Sequence, residues 1–214
     1  MANNNTEFWN SLLTEQSWNL LKELSTKPFK FAVIGGWATY LWTRQHKSKD
    51  IDILLFDFKD LEYLKQNFAL VKNDSLKKYE IKSGDFDVDI YVPHYSKFPL
   101  PPEEMLKHIA TIENIKVVSP EILLITKQEA EKEREHSVKG MKDRIDILSL
   151  LIFTGVDFSL YHELLQKYGK EEFLGRLKNI ISSFSELKYL GLNPREYKLK
   201  KRELLEKLRY SNCE

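Results

Sequence analysis

Cysteine is nearly absent: Cys213 is the only one in 214 residues. A disulfide framework within one chain is excluded, which fits a reducing, cytoplasmic setting. No apolar run approaches the roughly 20 residues that span a bilayer, so no membrane partner is expected. Met1–Asn5 lacks a basic region and an apolar core, so no secretory leader is expected either. Neither sign of charge dominates: 33 Lys and Arg stand against 32 Asp and Glu. The net charge of +1 therefore neither demands nor excludes a nucleic-acid partner. Internal repeats and low-complexity tracts are missing. So is a Gly-x-Gly-x-x-Gly turn after the first predicted strand, and the first acids come early and in a pair, which removes a Rossmann reading. What is present is 42% hydrophobic and 30% charged residues, the balance of a globular chain with a real core. The length suits one large domain or two small ones.

The chemistry concentrates between Val33 and Asp52, with Asp89 as a distant partner. An apolar run ends in Gly35-Gly36, a helical pattern follows, and a second apolar run carries Asp50-Ile51-Asp52. Two acids two residues apart share one face of a strand. They repel one another unless a cation lies between them, and hard cations such as Mg²⁺ are bound by one or two carboxylates plus substrate phosphates. The glycines let backbone N–H groups approach an anion, and the helix after them presents its positive end. Arg44, His46, Lys47 and Lys49 crowd the approach to Asp50. They suit either a solvated loop or contact with a triphosphate or RNA backbone.

These residues resemble the signature of the DNA polymerase β-like nucleotidyltransferase superfamily: a Gly-Gly turn, a helix, a strand with two acids and a third acid on a later strand. The third acid is available in Asp85-Phe-Asp87-Val-Asp89. Within the superfamily the chain looks most like the small prokaryotic abortive-infection and toxin–antitoxin type. Arg44 and Ser48 before the acids carry that narrower likeness, with Ser119-Pro120-Glu121…Lys127 and Lys142-Asp143…Asp146. The resemblance implies a metal-dependent transfer of a nucleoside monophosphate from an NTP to an RNA (tRNA) or protein hydroxyl, with an antitoxin as a further partner. It implies that Lys127 serves the nucleotide phosphates. Read without it, Lys127 is a solvated lysine, and Lys142 and Asp146 simply pair four apart on one helix face.

In chain order, residues 6–25 read as one broken helix or two short ones that cover a sheet, with Trp9 and Trp18 as core residues or as platforms for a base. Strands are expected at 29–34, 50–56, 69–73, 79–82, 86–92 and 112–118, and helices at 37–46 and 59–68. The four prolines between Pro93 and Pro102 indicate a loop. A helix opens at Ser119-Pro120, and another spans 139–153. The remainder reads as helical at 159–168, 170–184 and 194–210, the last with one basic and one apolar face. That basic face is a solvated surface or a contact for an RNA backbone. The expected fold is α/β (α+β): a mixed sheet flanked by helices over 1–118, then a helical region over 119–214.

Nucleotidyl transfer needs an in-line hydroxyl and neutralisation of charge on the phosphate oxygens, which two metal ions supply together. Asp50 and Asp52 are expected to bridge Mg²⁺ or Mn²⁺. Asp89 would hold the ion near the acceptor, with Asp87 as the alternative third acid. A lone acid inside the apolar strand Val88–Val92 is costly to bury, and a shared metal would offset that cost. Gly35 and Gly36 would cradle the β- and γ-phosphates, with Arg44, Lys47, Ser48 and Lys127 as phosphate ligands. Two rivals use the same residues: a non-catalytic binding module, and a metal-dependent phosphoesterase acting with water.

Overall fold

A computed structural model describes residues 11–210. It divides into two compact units, the first reaching to Ser119 and the second starting at Pro120.

The first unit is built on a seven-stranded mixed sheet. Its strands are β1 (Phe31–Ile34), β2 (Ile51–Leu55), β3 (Leu70–Asn73), β4 (Lys78–Ser83), β5 (Phe86–Tyr91), β6 (Ile109–Ile112) and β7 (Ile115–Val118). They lie in the order β3-β4-β5-β2-β1-β7-β6. β1 runs parallel to β7 and β2 parallel to β5, and the other neighbours are antiparallel. Every residue of β1 is buried, and β2 is buried except at Asp52. In the sequence β1 therefore reads as an unbroken apolar run and β2 as one interrupted only by Asp52, the mark of central strands. β5 alternates: Phe86, Val88 and Ile90 are buried, while Asp87, Asp89 and Tyr91 are half-buried on the other face. This two-residue period carries polar side chains across the middle of the sheet.

Helices α1 (Ser11–Ser25), α2 (Gly35–Thr43) and α3 (Asp60–Asn67) accompany the sheet, with a single turn α4 at Pro102–Met105. Trp37 on α2 is fully buried and donates its Nε1–H to Ser17 Oγ at 2.8 Å. Trp18 stacks on it at 5.0 Å, so Trp18 is a packing residue that joins α1 to α2. Trp9 and the start of the helical segment expected at 6–25 lie outside the described residues. The helix expected at 37–46 begins two residues earlier, at Gly35, and stops at Thr43. Arg44 then turns left-handed at φ 58° and returns its N–H to Tyr40 O, which closes the last turn.

The single strand expected at 112–118 is a hairpin. β6 and β7 pair with Ile112 opposite Ile115, leaving a two-residue turn in which Glu113 and Asn114 hold φ 51° and 64°. Two consecutive left-handed residues match the right-handed twist of the strands they join. Asn tolerates that conformation, but Glu carries no turn signal, so the local sequence conceals the reversal.

The second unit is helical: α5 (Pro120–Glu133), α6 (Val138–Phe153), α7 (Phe158–Lys167), α8 (Glu172–Ser183), a 3-10 turn at Leu187–Leu190 and α9 (Pro194–Tyr210). Three starts are capped by side chains: Ser137 Oγ accepts from Gly140 N, Asp157 Oδ1 from Ser159 N and Leu160 N, and Asn193 Oδ1 from Arg195 N and Glu196 N. At α9 Glu196 Oε2 also accepts from Asn193 N, so the two residues satisfy each other's backbone donors. Glu131 on α5 is buried and lies between Arg144 on α6 (2.8 Å) and Arg176 on α8 (2.6 Å). One carboxylate thereby ties three helices together. Replacing Glu131 by Ala leaves two arginines facing a cavity, and a loss of about 3 kcal/mol is expected. A shift of the urea midpoint for Glu131→Ala measures it.

Candidate active site

β2 and β5 run parallel with Asp52 opposite Asp89. In-register residues on neighbouring strands project from the same face, so two acids 37 positions apart in sequence are brought side by side. Glu80 of β4 opposes Asp89 on its other side. A row of three acids, Asp52, Asp89 and Glu80, thus crosses three adjacent strands. One step along the strands lies a second row. There Asp50 Oδ1 accepts from the Asp87 backbone N–H at 3.3 Å, and Asp87 pairs with Lys82 at 2.9 Å.

The glycine turn closes over these acids. β1 ends at Ile34, opposite Asp52, and Gly35 turns at φ +65°, a conformation that favours glycine. A Cβ on Gly35 would fall 2.8 Å from Asp52 Cγ, and closer still to Oδ2. A Cβ on Gly36 would fall 2.8 Å from Ser48 Cβ and closer to its hydroxyl. Each glycine therefore makes room for one side chain of the predicted site. No side chain caps the start of α2: Ile34 stands at that position. The backbone donors of the first turn, with the positive end of the helix behind them, suit an anion.

The sequence reading missed Lys78 and Glu80. Lys78 Nζ lies 2.6 Å from Asp89 Oδ2 and 3.0 Å from Glu80 Oε1, and all three side chains are more than four-fifths buried. Burial weakens the Lys78 ammonium, but the hydrogen bonds to Asp89 and Glu80 outweigh it and its pKa is raised. Glu80 is held at about 2, chiefly by the Lys78 hydrogen bond and with help from Asn73 and Lys82. Asp89 shifts upward, because burial of its carboxyl outweighs the Lys78 contact. The Lys78-x-Glu80-x-Lys82 alternation was the available signal: a strand with an acid flanked by bases on one face.

Asp89 Oδ1 is buried and makes no hydrogen bond. A carboxylate oxygen in that state asks for a cation. Among the described residues no three Asp, Glu, His or Cys side chains are drawn close enough to enclose a metal ion. The Lys78 ammonium instead holds one oxygen of Asp89. The donor chemistry nevertheless fits a hard divalent ion: carboxylate oxygens only, on two neighbouring strands, one of them unsatisfied. Asp50, Asp52 and Asp89 are the residues that would hold it.

The remaining predicted ligands divide. Ser48 is buried against Gly36, within the site. Arg44 pairs with Glu113 at 2.8 Å and its guanidinium lies 5.7 Å from the Tyr40 ring. Lys47 pairs with Glu15. Both pairs are exposed enough to be weak, so each side chain can exchange its partner for a phosphate at little cost. Lys127 belongs to the second unit, where it is buried and bonds to Asp146 at 2.6 Å, with Asp143 at 3.5 Å. Asp146 therefore takes its cation from α5, and Asp143 is gripped by Arg134 through two bonds of 2.7 and 3.0 Å. The Lys-Asp motif on α6 is a cross-helix cluster in which both acids find their cations on α5 or just after it.

A Gly-Gly turn that seats a helix against acids on parallel β2 and β5 defines a nucleotidyltransferase type of fold. Two solved structures from Helicobacter pylori bear this fold out. JHP933 from Helicobacter pylori is similar over 95% of this chain and 96% of its own, at 17% identity and a TM-score of 0.50. A Helicobacter pylori protein assigned provisionally to the nucleotidyltransferases gives the same identity and TM-score over 94% and 96%. An antigenic nucleotidyltransferase-like protein from Paracoccidioides brasiliensis matches over 80% of this chain and 94% of its own, at 19% identity and a TM-score of 0.47. No family model and no curated protein matches the sequence. The chain has the nucleotidyltransferase fold, a mixed sheet flanked by helices, as the sequence pattern implied.

Two outcomes follow from this geometry. Gly35→Ala combines a left-handed φ with a clash on Asp52, and should cost roughly 2 kcal/mol or displace the carboxylate. Thermal denaturation reads the first effect and metal or nucleotide titration the second. Glu80, ionised down to about pH 2 when folded and to about 4.5 when unfolded, stabilises the protein above the higher value and loses that contribution as pH falls through the lower. Asp89, shifted the other way, works in the opposite sense. The stability difference between wild type and Glu80→Gln isolates the Glu80 part, and it should shrink as pH falls from 4.5 towards 2 in urea titrations.

Proposed function

We propose that this protein is a metal-dependent nucleotidyltransferase that moves a nucleoside monophosphate from an NTP to a hydroxyl of an RNA, tRNA included, or of a protein. One observation carries the reading: Asp52 stands opposite Asp89 on parallel strands, directly beneath the Gly35–Gly36 turn. Carboxylates and an anion cradle meet at one point of the sheet. The acceptor oxygen would form a bond to the α-phosphorus, the bond to the bridging oxygen of pyrophosphate would break, and the hydroxyl proton would leave to a base. Asp50, Asp52 and Asp89 would hold Mg²⁺ or Mn²⁺, which would supply charge neutralisation on the phosphate oxygens. The chain's own residues do the rest. The Gly35–Gly36 turn and the first turn of α2 bind and orient the β- and γ-phosphates. Ser48, fixed against Gly36, positions the turn. Arg44 and Lys47 add charge from the loop. Asp89, on the strand beside Asp52, is the residue placed to take the acceptor proton. A role as a toxin, controlled by an antitoxin partner, belongs to this same reading and rests on the sequence motifs at Arg44, Ser48 and Lys142–Asp146.

A second reading has one observation in its favour. Lys78 neutralises Asp89 and Glu80 without any ion, which suits a nucleotidyltransferase-like module that binds and does not catalyse. Incorporation of label from each α-labelled NTP, with Mg²⁺ or Mn²⁺ and either total tRNA or a cell lysate, separates the two. Label in RNA or protein, lost by at least about a hundredfold in Asp50→Ala and Asp52→Ala, is the expected result. Both variants should keep the wild-type melting temperature within a few degrees. Phosphate release or cleaved RNA without incorporation would point to a phosphoesterase. The absence of nucleotide binding would favour the non-catalytic module.

A further inference from the structure

The second unit contains a cavity of about 550 Å³ along α9. Its apolar wall is formed by Phe184, Leu187, Tyr197 and Leu205. The Tyr197 ring is 6% exposed and its hydroxyl is bonded to Ile181 O, so it backs the wall, and the half-buried Phe184 ring is the one that stays open. The Phe184 and Tyr197 rings lie 6.1 Å apart at 51°. Against this wall α9 sets Lys198, Lys201, Arg202 and Arg209. Their offsets of three, four and eleven residues from Lys198 place them on one helix face, over a length of about 16 Å.

The charge of α9 is sorted between its faces. Glu203 engages Lys200 and Lys207, and Glu196 is spent on the cap. On the cavity face Lys201 donates to Ser182 O. Lys198, Arg202 and Arg209 form no ion pair among the described residues. A protein of net charge +1 thus keeps three unpaired cations in line beside an aromatic recess. A row of cations with nothing to neutralise it suits a repeating anion, and a recess walled by rings suits a planar base. An acidic peptide or an anionic membrane would satisfy the cations but has no use for the recess. A duplex hides its base faces, whereas a single strand offers them. Glu206 is the one acid in the lining. It repels phosphate but accepts from a ribose 2′-hydroxyl, the group that distinguishes RNA from DNA.

We propose that this groove binds single-stranded RNA, with the phosphates along Lys198, Arg202 and Arg209 and a base against the Phe184 ring. The proposal concerns binding and does not depend on nucleotidyl transfer. The test is fluorescence anisotropy of the full chain with a labelled 12-nucleotide RNA and its DNA counterpart over a range of salt. The triple variant Lys198→Ala, Arg202→Ala, Arg209→Ala should bind RNA about tenfold more weakly or worse. Its slope of log K against log salt should be shallower by about 2, since three contacts at roughly 0.7 each are lost. These side chains are exposed, so the melting temperature should hold, and circular dichroism checks it. DNA should bind more weakly than RNA, and Glu206→Gln should narrow that gap. RNA binding unchanged in the triple variant, equal affinity for DNA, or displacement of RNA by polyglutamate at matched charge would each overturn the proposal. Asp52→Ala separates the two hypotheses: wild-type RNA affinity in that variant upholds the groove even if no transfer is ever detected.

Discussion

The parallel pairing of β2 with β5 is the constraint on which the first unit's chemistry rests. Its register sets Asp52 against Asp89. A slip of one residue would turn Asp89 into the apolar side of the sheet and bring Val88 out beside Asp52. What holds the register is the alternation of β5, whose Phe86, Val88 and Ile90 are buried on one face. The free energy of those apolar side chains therefore positions the acids, although none of them contributes a polar atom to the site. β1 supplies the other half of the constraint. It pairs antiparallel with β2, so its end delivers the glycine turn to the level of Asp52.

Electrostatics then explains how such a site persists. Asp52, Asp89 and Glu80 in one row would repel, and Asp89 is too buried for water to screen it well. Lys78 answers two of the three acids, and Asn73 and Lys82 support Glu80. One oxygen of Asp89 remains without a partner. The row is thus stable enough to fold around and still short of a cation, a combination typical of sites where binding energy is reserved for a ligand. The second unit solves a similar problem differently. There Glu131, Asp143 and Asp146 are nearly fully buried and each is matched by Arg or Lys from a neighbouring helix or the turn that follows it. Those pairs define which helix lies beside which, and their acids are fully committed.

The comparison of Arg44, Lys47 and Lys127 shows why a basic residue near a motif is a poor guide by itself. All three are lysine or arginine beside recognisable motif residues. Arg44 and Lys47 rest in exposed pairs that water and salt weaken. Lys127 is buried between two carboxylates, where removal of its charge would strand both. The difference lies in burial and in acids distant along the chain: Glu113 lies 69 positions from Arg44, and Asp146 lies 19 from Lys127.

What the sequence determined by itself is everything governed by neighbours a few residues apart. The apolar runs of β1 and β2, the alternation of β5, the Gly35–Gly36 break, the i, i+2 spacing of Asp50 and Asp52, and the amphipathic helices of the second unit follow from local periodicity and backbone freedom. Tertiary structure alone decided the rest. The hairpin at Glu113–Asn114 depends on pairing that overrides the weak turn preference of Glu. The row of Asp52, Asp89 and Glu80 depends on strand register, and the placement of Lys78 upon it depends on β4 lying next to β5. The sorting of α9's cations between a paired face and a bare one depends on which acids lie within reach. In each case the physical reason is the same. Charge pairing and packing act over a few ångströms in space, and only the folded chain brings residues that far apart in sequence within that range.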